Sequence, residues 1–516
     1  MWFFSNDSIF GKANSSEEDA KQVQSVLSQF HKKDSAFWSN AGQKYFLSLF
    51  QLMAQKVPAY ADFLKANNID GSTIKSWDDW NQVPIMNKNN YLRQHTMEQL
   101  CLGGDLKKSM VLTATSGSTG VPFYFPRDEA LDWQSSIMHE LFLANNPLAH
   151  DQSTLIINCF GMGVWIGGII TYQAFKKIAD RGYPLTIITP GLNKKEIFES
   201  LKNLGSKFEQ VVICGYPPFI KGIVDEAGDY GIDWKSFNMK VVFAAEPFSE
   251  KFRDYIAAKA NIKNVYTDTM NIYGSADLGT MAEETPLSIL IRRLASDNPA
   301  LYSDLFKVSG RMPTLAQFNP LFTNFEECNG EVLCSGYSAL PLLRYAIGDH
   351  GGVMTYDEVE NKFQKHGIDL AAEMKRLGME RTLTKLPFVF VYERSDFSTK
   401  LYGAIIYPEH VKESLHHHPK ILDNLTGKFT MITKSDDTHN QYLEINLEMK
   451  KNTKHNDDLK KTVRDVIVNN LLEKNAEYKN NASMMPEKVE PRIVFWEHEH
   501  PTHFNPVGKQ KWVKSE

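Results

Sequence analysis

The chain has 516 residues, of which 42% are hydrophobic and 23% charged, and its formal net charge is -5. That length is too great for one compact core, so two or more domains are expected. The mildly acidic balance excludes a dedicated nucleic-acid binder, and five scattered cysteines without a CxxC pair predict reduced thiols and a cytoplasmic setting.

Met1-Trp2-Phe3-Phe4 is apolar but stops at Ser5, without the basic start and long apolar run of a secretory leader. Ala20 to Phe30 and Tyr45 to Val57 carry apolar residues at helical spacing, with Val23, Val26, Leu27 and Phe30 as the stripe of the first. Further on, Ser76 to Lys88 leads towards a hydroxyl-rich stretch, Thr113-Ala114-Thr115-Ser116-Gly117-Ser118-Thr119-Gly120. It lies between apolar Met110-Val111-Leu112 and Phe123-Tyr124-Phe125, and reads as a hairpin-like loop between two strands. Glycines let backbone N–H groups converge on one point, and Ser and Thr hydroxyls add donors around it. The natural guest is a phosphate. The plainer reading is a surface turn, in which these residue types are ordinary. A Walker loop is excluded by the missing Gly-Lys-Ser/Thr ending.

Strand candidates Leu155–Phe160, Pro184–Thr189, Val211–Pro218 (ending in a turn) and Met239–Ala245 then alternate with helix candidates Ala130–Asn145, Lys194–Leu204 and Ser249–Ala260. The alternation predicts an α/β fold with layered, mainly parallel sheets and ligands bound where the strands end. The most apolar window, Phe160 to Phe175, is short and glycine-rich, so no membrane span is expected. The texture changes after Pro387. A strand at Phe388–Tyr392 is followed by short strands at Ala404–Tyr407, Phe429–Thr433, Tyr442–Met449 and Arg492–Trp496. Helices start at Pro408 and span Asp457–Lys474, the latter with Val463, Val466, Ile467 and Leu471 on one face. The expected organisation is a large domain over 1–393 and a small mobile α+β domain over 394–516.

Four further stretches accompany the loop: Ala244-Ala245-Glu246-Pro247, Asn271-Ile272-Tyr273-Gly274-Ser275-Ala276-Asp277, Leu340-Pro341-Leu342-Leu343-Arg344-Tyr345-Ala346-Ile347-Gly348-Asp349, and Glu393-Arg394-Ser395-Asp396. Each alone also reads as an ordinary turn or cap. Together, in this order, they resemble the acyl-adenylate-forming enzymes, most closely the phenylacetate–CoA ligase branch, from about Val57 to Lys509.

That resemblance implies ATP- and Mg2+-dependent activation of a carboxylic acid as its acyl-adenylate, then transfer to a thiol, with coenzyme A as the expected acceptor. It puts the phosphates on Thr115, Ser116, Gly117, Ser118, Thr119 and Gly120, and adenine against Glu246, Pro247, Asn271, Tyr273 and Gly274. It puts the ribose hydroxyls on Asp349, magnesium on Asp277, and Arg394 near ribose and phosphate. Asp396 is the implied hinge and Lys509 the implied catalytic lysine, with Lys511 as its rival. An acyl pocket is expected among Phe160, Trp165, Gly167, Tyr216, Ala244 and Ala245, suited to an aromatic or otherwise apolar acid, although such aromatics are more often core. The chain departs from the family pattern at Asp277, Ala346, Glu393 and Phe397. A carrier protein or an amine as acceptor, a catalytically degenerate nucleotide-binding relative, and a homodimeric assembly all stay open.

Overall fold

The computed structural model describes residues 16–107, 109–114, 123–164, 166–245, 247–306, 312–392, 399–401, 404–416, 418–435, 441–475, 478–479, 482–483, 486–501, 503–504 and 512–513. The expectations for Met1 to Phe4, Thr115 to Gly120, Trp165, Glu246, Arg394, Asp396, Lys509 and Lys511 lie outside these residues.

The strands up to Tyr392 are β1 (Val111–Ala114), β2 (Tyr124–Arg127), β3 (Thr154–Asn158), β4 (Leu185–Ile188), β5 (Gln210–Gly215), β6 (Met239–Ala244), β7 (Thr269–Ser275), β8 (Gly279–Glu283), β9 (Thr314–Gln317), β10 (Thr323–Cys328), β11 (Glu331–Gly336), β12 (Leu342–Met354) and β13 (Phe388–Tyr392). Eleven of them form one sheet in the order β10-β11-β12-β13-β9-β8-β7-β6-β5-β3-β4. The end from β4 to β7 is parallel. Successive side chains of its strands point to opposite faces. Leu155, Ile157, Val211, Ile213, Val241 and Phe243 pack under helices Lys194–Leu204, Pro217–Glu226 and Glu250–Lys259. Ile156, Val212 and Val242 pack under helices Glu129–Ala144 and Ile166–Asp180. Burial on both faces is why these strands read as unbroken apolar runs.

From β8 onward the pairing is antiparallel, so the sheet is mixed. Part of it is built from hairpins, at β7–β8, β10–β11 and β11–β12. The tightest turns at Asn329-Gly330, both with positive φ (52° and 82°), the conformation a two-residue hairpin requires. Helices Ser16–Lys32, Ser35–Lys56 and Pro58–Ala66 cover this end. Their Phe30, Trp38, Phe46, Phe50 and Tyr60 share one core with Phe318, Phe325, Leu343 and Tyr345 of the sheet region. Asp34 caps the second helix by accepting from Phe37 N at 2.8 Å.

Past Tyr392 the remaining strands are β14 (Thr399–Leu401), β15 (Ala404–Ile406), β16 (Leu425–Ser435), β17 (Gln441–Met449) and β18 (Arg492–Trp496). They form a two-stranded sheet and a separate sheet ordered β16-β17-β18. β17 and β18 run parallel, joined through helix Asp457–Lys474. Val463, Ile467 and Leu471 of that helix are buried in a core of their own with Phe429, Ile445 and Leu447, while Val466 packs at its edge. The fold is thus a large layered α/β assembly with a smaller α+β unit after it.

All five cysteines are free, and Cys334 is buried while Cys328 is only half-buried. Among the described residues no helix is long and apolar enough to cross a membrane.

Candidate functional site

β1 and β2 pair in antiparallel register, with Ala114 opposite Tyr124, so the two strands expected to flank the hydroxyl-rich loop are present. Ala114 N–H donates to Val164 O at 2.9 Å, which ties the base of that hairpin to the segment after β3.

β6 ends at Ala244, and Ala245 takes a left-handed conformation with φ 73°. An L-residue there is strained, and such strain collects at functional turns. Ala245→Gly should therefore leave thermal stability equal or higher. Ala245→Val should lower it by ~1–2 kcal/mol, because a branched β-carbon is least tolerated in this region. Denaturant melts of the two variants check this.

The hairpin from β7 to β8 carries Asn271, Tyr273, Gly274 and Asp277. Gly274 is required by packing, since a β-carbon there would stand 2.6 Å from Gly279 O. Asn271 is buried within β7 and its carbonyl accepts from Glu284 N at 2.9 Å. Tyr273 is half-buried and stacks on Phe325. Its hydroxyl donates to Asp349 Oδ2 at 2.7 Å.

Asp349 reaches Tyr273 because β12 is irregular. Ala346 pairs with Leu333 and His350 with Glu331, so β12 holds more residues than β11 over this stretch. Gly348, with φ 89°, takes the turn that a bulge needs. A carboxylate has two oxygens and about four acceptor positions, so Asp349 retains capacity beyond the tyrosine. Asp349→Ala should weaken nucleotide binding by ~1–3 kcal/mol, the range for losing hydrogen bonds to a charged acceptor. Unchanged ATP affinity by calorimetry would remove Asp349 from the ribose site.

Asp277 is buried at the tip of the β7–β8 hairpin, its side chain 3% exposed. Lys88 Nζ stands 3.4 Å from Asp277 Oδ1. Lys88, which closes the Ser76–Lys88 stretch, is not among the residues that the sequence motifs single out. Its placement follows from Arg344. That residue is held at φ 46°, and its guanidinium donates to Asn81 O at 3.0 Å and Val83 O at 2.7 Å. Met86 N–H donates to Arg344 O, and Ala346 N–H donates to Met86 O, so the segment before Lys88 runs along β12. The arginine of the Leu340–Asp349 stretch thus acts as a clamp that carries Lys88 to Asp277.

Among the residues expected to line an acyl pocket, Tyr216 follows the end of β5, and its ring meets Phe160 edge-on at 5.1 Å. Phe160 is fully buried behind it. A β-carbon on Gly167 would stand 3.5 Å from the Phe160 ring, so this face is closely packed. Ala244 is half-buried and Ala245 exposed at the neighbouring strand end. Pro247, with Phe248 and Phe252, lines an apolar cavity between the large part and the small unit, whose side is made by Lys412, His416 and Trp512.

Other contacts cross the same boundary. Lys450 Nζ stands 3.7 Å from Asp225, Lys194 Nζ 3.7 Å from Glu499, and His498 Nε2 3.7 Å from Glu226. Burial raises the Glu226 carboxyl, but His498 and Lys194 outweigh it and bring it down to about 2. Phe504 and Trp512 are both buried, and Met431 N–H donates to Trp512 O at 2.7 Å. His503 also stacks on Trp496 of β18, so the described residues flanking 505–511 are anchored in the small unit.

Among the described residues no group of three or more His, Cys, Asp or Glu could hold a metal by itself. That is compatible with magnesium in a nucleotide complex, which uses one or two carboxylates plus phosphates and water.

No known family pattern and no curated protein matches the sequence. Solved structures do match. 2-Hydroxyisobutyryl-CoA ligase in its postadenylation state, complexed with 2-HIB-AMP, superposes with a TM-score of 0.66 at 12% identity, over 95% of this chain and 92% of that one. The same enzyme with R3-HIB-AMP gives 0.65 at 12% identity over the same shares. In complex with 2-HIB-AMP and CoA in the thioesterification state it gives 0.54 at 14% identity, again over 95% and 92%. The chain has the fold of these acyl-adenylate-forming ligases.

Proposed function

We propose that this protein is an AMP-forming acid–thiol ligase. A carboxylate oxygen of the substrate attacks the α-phosphorus of ATP and the bond to pyrophosphate breaks. The thiol sulfur of coenzyme A then attacks the acyl carbon and AMP leaves. The reading is carried by one observation: Tyr273–Asp349 and Lys88–Asp277 are in contact, although the members of each pair lie far apart in sequence. The likeness of fold supports it.

In this reading Asp349 accepts from the ribose hydroxyls, while Tyr273, Gly274, Asn271, Glu246 and Pro247 border the adenine. Residues Thr115 to Gly120 donate to the phosphates through backbone N–H groups and hydroxyls. Asp277 would help hold magnesium, which when bound would supply charge neutralisation at the phosphates. Lys88 holds the Asp277 carboxylate in place. Lys509 and Arg394 supply positive charge at the reacting phosphate, where preorganised charge is most effective. Tyr216, Ala244, Ala245, Gly167 and Trp165, backed by Phe160, bound a site for an apolar or aromatic acid. Asp396 is the hinge between 1–393 and 394–516.

Pyrophosphate release with a panel of aromatic, branched and hydroxylated acids tests the first step. Acid-dependent release is expected, followed by thioester formation with CoA. Transfer to amines or to a carrier-protein pantetheine in preference to CoA would move the protein to a biosynthetic adenylating role. No release with any acid, despite ATP binding, would leave a nucleotide-binding relative.

A further inference from the structure

A second, smaller cavity lies at the opposite end of β8 from Asp277. It measures about 10 Å³ and is walled by Leu141, Phe142, Asn145, Glu283, Glu284, Thr285, Pro286, Thr382 and Thr384, of which only the polar residues matter below. That is room for roughly one water-sized particle.

Its lining is unusual in polarity. Glu283 is 1% exposed, and its Oε2 has no hydrogen-bond partner among the described residues. Glu284, beside it, is already neutralised, accepting from Arg253 Nη2 at 2.8 Å and Arg292 Nη1 at 2.6 Å. The three threonine hydroxyls have committed their protons elsewhere. Thr285 Oγ1 donates to Gln317 Oε1 at 2.6 Å, Thr384 Oγ1 to the same oxygen at 2.9 Å, and Thr382 Oγ1 to Met379 O at 2.9 Å. The Gln317 amide nitrogen is spent on Thr384 O and Leu386 O. Ser288 N–H, in the first turn of the following helix, is taken by Thr285 Oγ1, and Pro286 has no N–H to offer. Each threonine therefore has only oxygen lone pairs left to present, beside a carboxylate that no cation balances.

Only the half-buried Asn145 amide could still donate here, and burial alone pushes the Glu283 carboxyl well above the usual carboxylate range, so an ionised Glu283 in this cavity is costly unless something positive fills it. We propose that this cavity is a binding site for a monovalent cation of about the size of water, K+ or NH4+, ligated by Glu283 with the oxygens of Thr285, Thr382, Thr384 and Asn145. One uncompensated carboxylate among neutral oxygens suits a single positive charge. Divalent and transition ions demand more charge or nitrogen and sulfur ligands. The site would brace β8, whose other end leads into the Asp277 turn.

The experiment is a thermal melt of the nucleotide-free full chain in KCl, NH4Cl, NaCl and choline chloride at equal ionic strength. KCl or NH4Cl should raise the midpoint by about 2–4 °C over choline, and the rise should saturate with concentration. Glu283→Gln, which removes the charge but keeps the shape, should abolish the cation-specific rise. Rb+ soaked into crystals of the wild-type chain should give an anomalous peak in the cavity, a readout independent of the variant's folding. Equal midpoints in potassium and choline, an undiminished rise in Glu283→Gln, or an Rb+ peak elsewhere would each overturn the assignment. The first would make Glu283 a permanently protonated carboxyl facing a water. None of these outcomes depends on the adenylation reading, since the melt uses neither ATP nor acid.

Discussion

Lys88→Met and Asp277→Ala should shift the magnesium requirement of adenylation in opposite directions. Both the Lys88 ammonium and a bound metal seek the Asp277 carboxylate, and the ammonium stands 3.4 Å from Oδ1. Coulomb's law at that separation gives about 5 kcal/mol at an effective dielectric of about 20. The Lys88 side chain is 33% exposed, so solvent screening reduces the competition to ~1 kcal/mol. Lys88→Met should accordingly lower the magnesium concentration for half-maximal rate about 3- to 10-fold. The maximal rate should fall as well, because the carboxylate loses the group that positions it. Asp277→Ala should raise the magnesium requirement and depress the rate, while Asp277→Glu should retain activity. Pyrophosphate release over a magnesium titration reads all three. Shifts in the same direction for Lys88→Met and Asp277→Ala would mean that the pair only supports the hairpin.

The reach of the sequence into this site can be judged from these two residues. Asp277 stood out because it closes the Asn271–Asp277 stretch, a local pattern that the family resemblance picks out. Lys88 did not, because its relevance depends on a pairing 258 or more positions long, between Met86 and the Arg344–Ala346 segment. No periodicity records such a contact. The same holds for the fold. Helix Lys194–Leu204 and helix Asp457–Lys474 fall where the apolar spacing puts them. The strands from β8 to β12 left little trace, since an antiparallel strand is set by its partner as much as by its own residues. Asn329-Gly330 was a local hairpin signal that could have located β10 and β11. Asp349 was legible as a residue type, but its bond to Tyr273 comes from the irregular register of β12, which only the sheet reveals.

Lys509→Ala should separate the two half-reactions. By resemblance, Lys509 acts on the adenylating step alone. On one side of 505–511 His503 stacks on Trp496 of β18, and on the other Trp512 packs in the small unit's core, so both flanks belong to the small unit rather than to the large sheet. A lysine carried there serves whichever step brings that face of the small unit to the phosphates. Its removal should slow adenylate formation about 100- to 1,000-fold, the scale for losing one preorganised donor at a developing charge. The same variant, given pre-formed acyl-adenylate, should pass the acyl group to CoA at close to the normal rate. Asp396→Pro should err in the opposite sense. Proline fixes φ near −65°, so the hinge would be locked, and thioester formation should suffer more than adenylation. Lys511→Ala is the neighbouring control and should change neither step by much. Rapid-quench measurement of each half-reaction distinguishes the cases. If both steps fell together in Lys509→Ala, the residue would serve binding or folding. If Lys511→Ala gave the larger adenylation defect, the catalytic lysine would lie two residues further along the same segment.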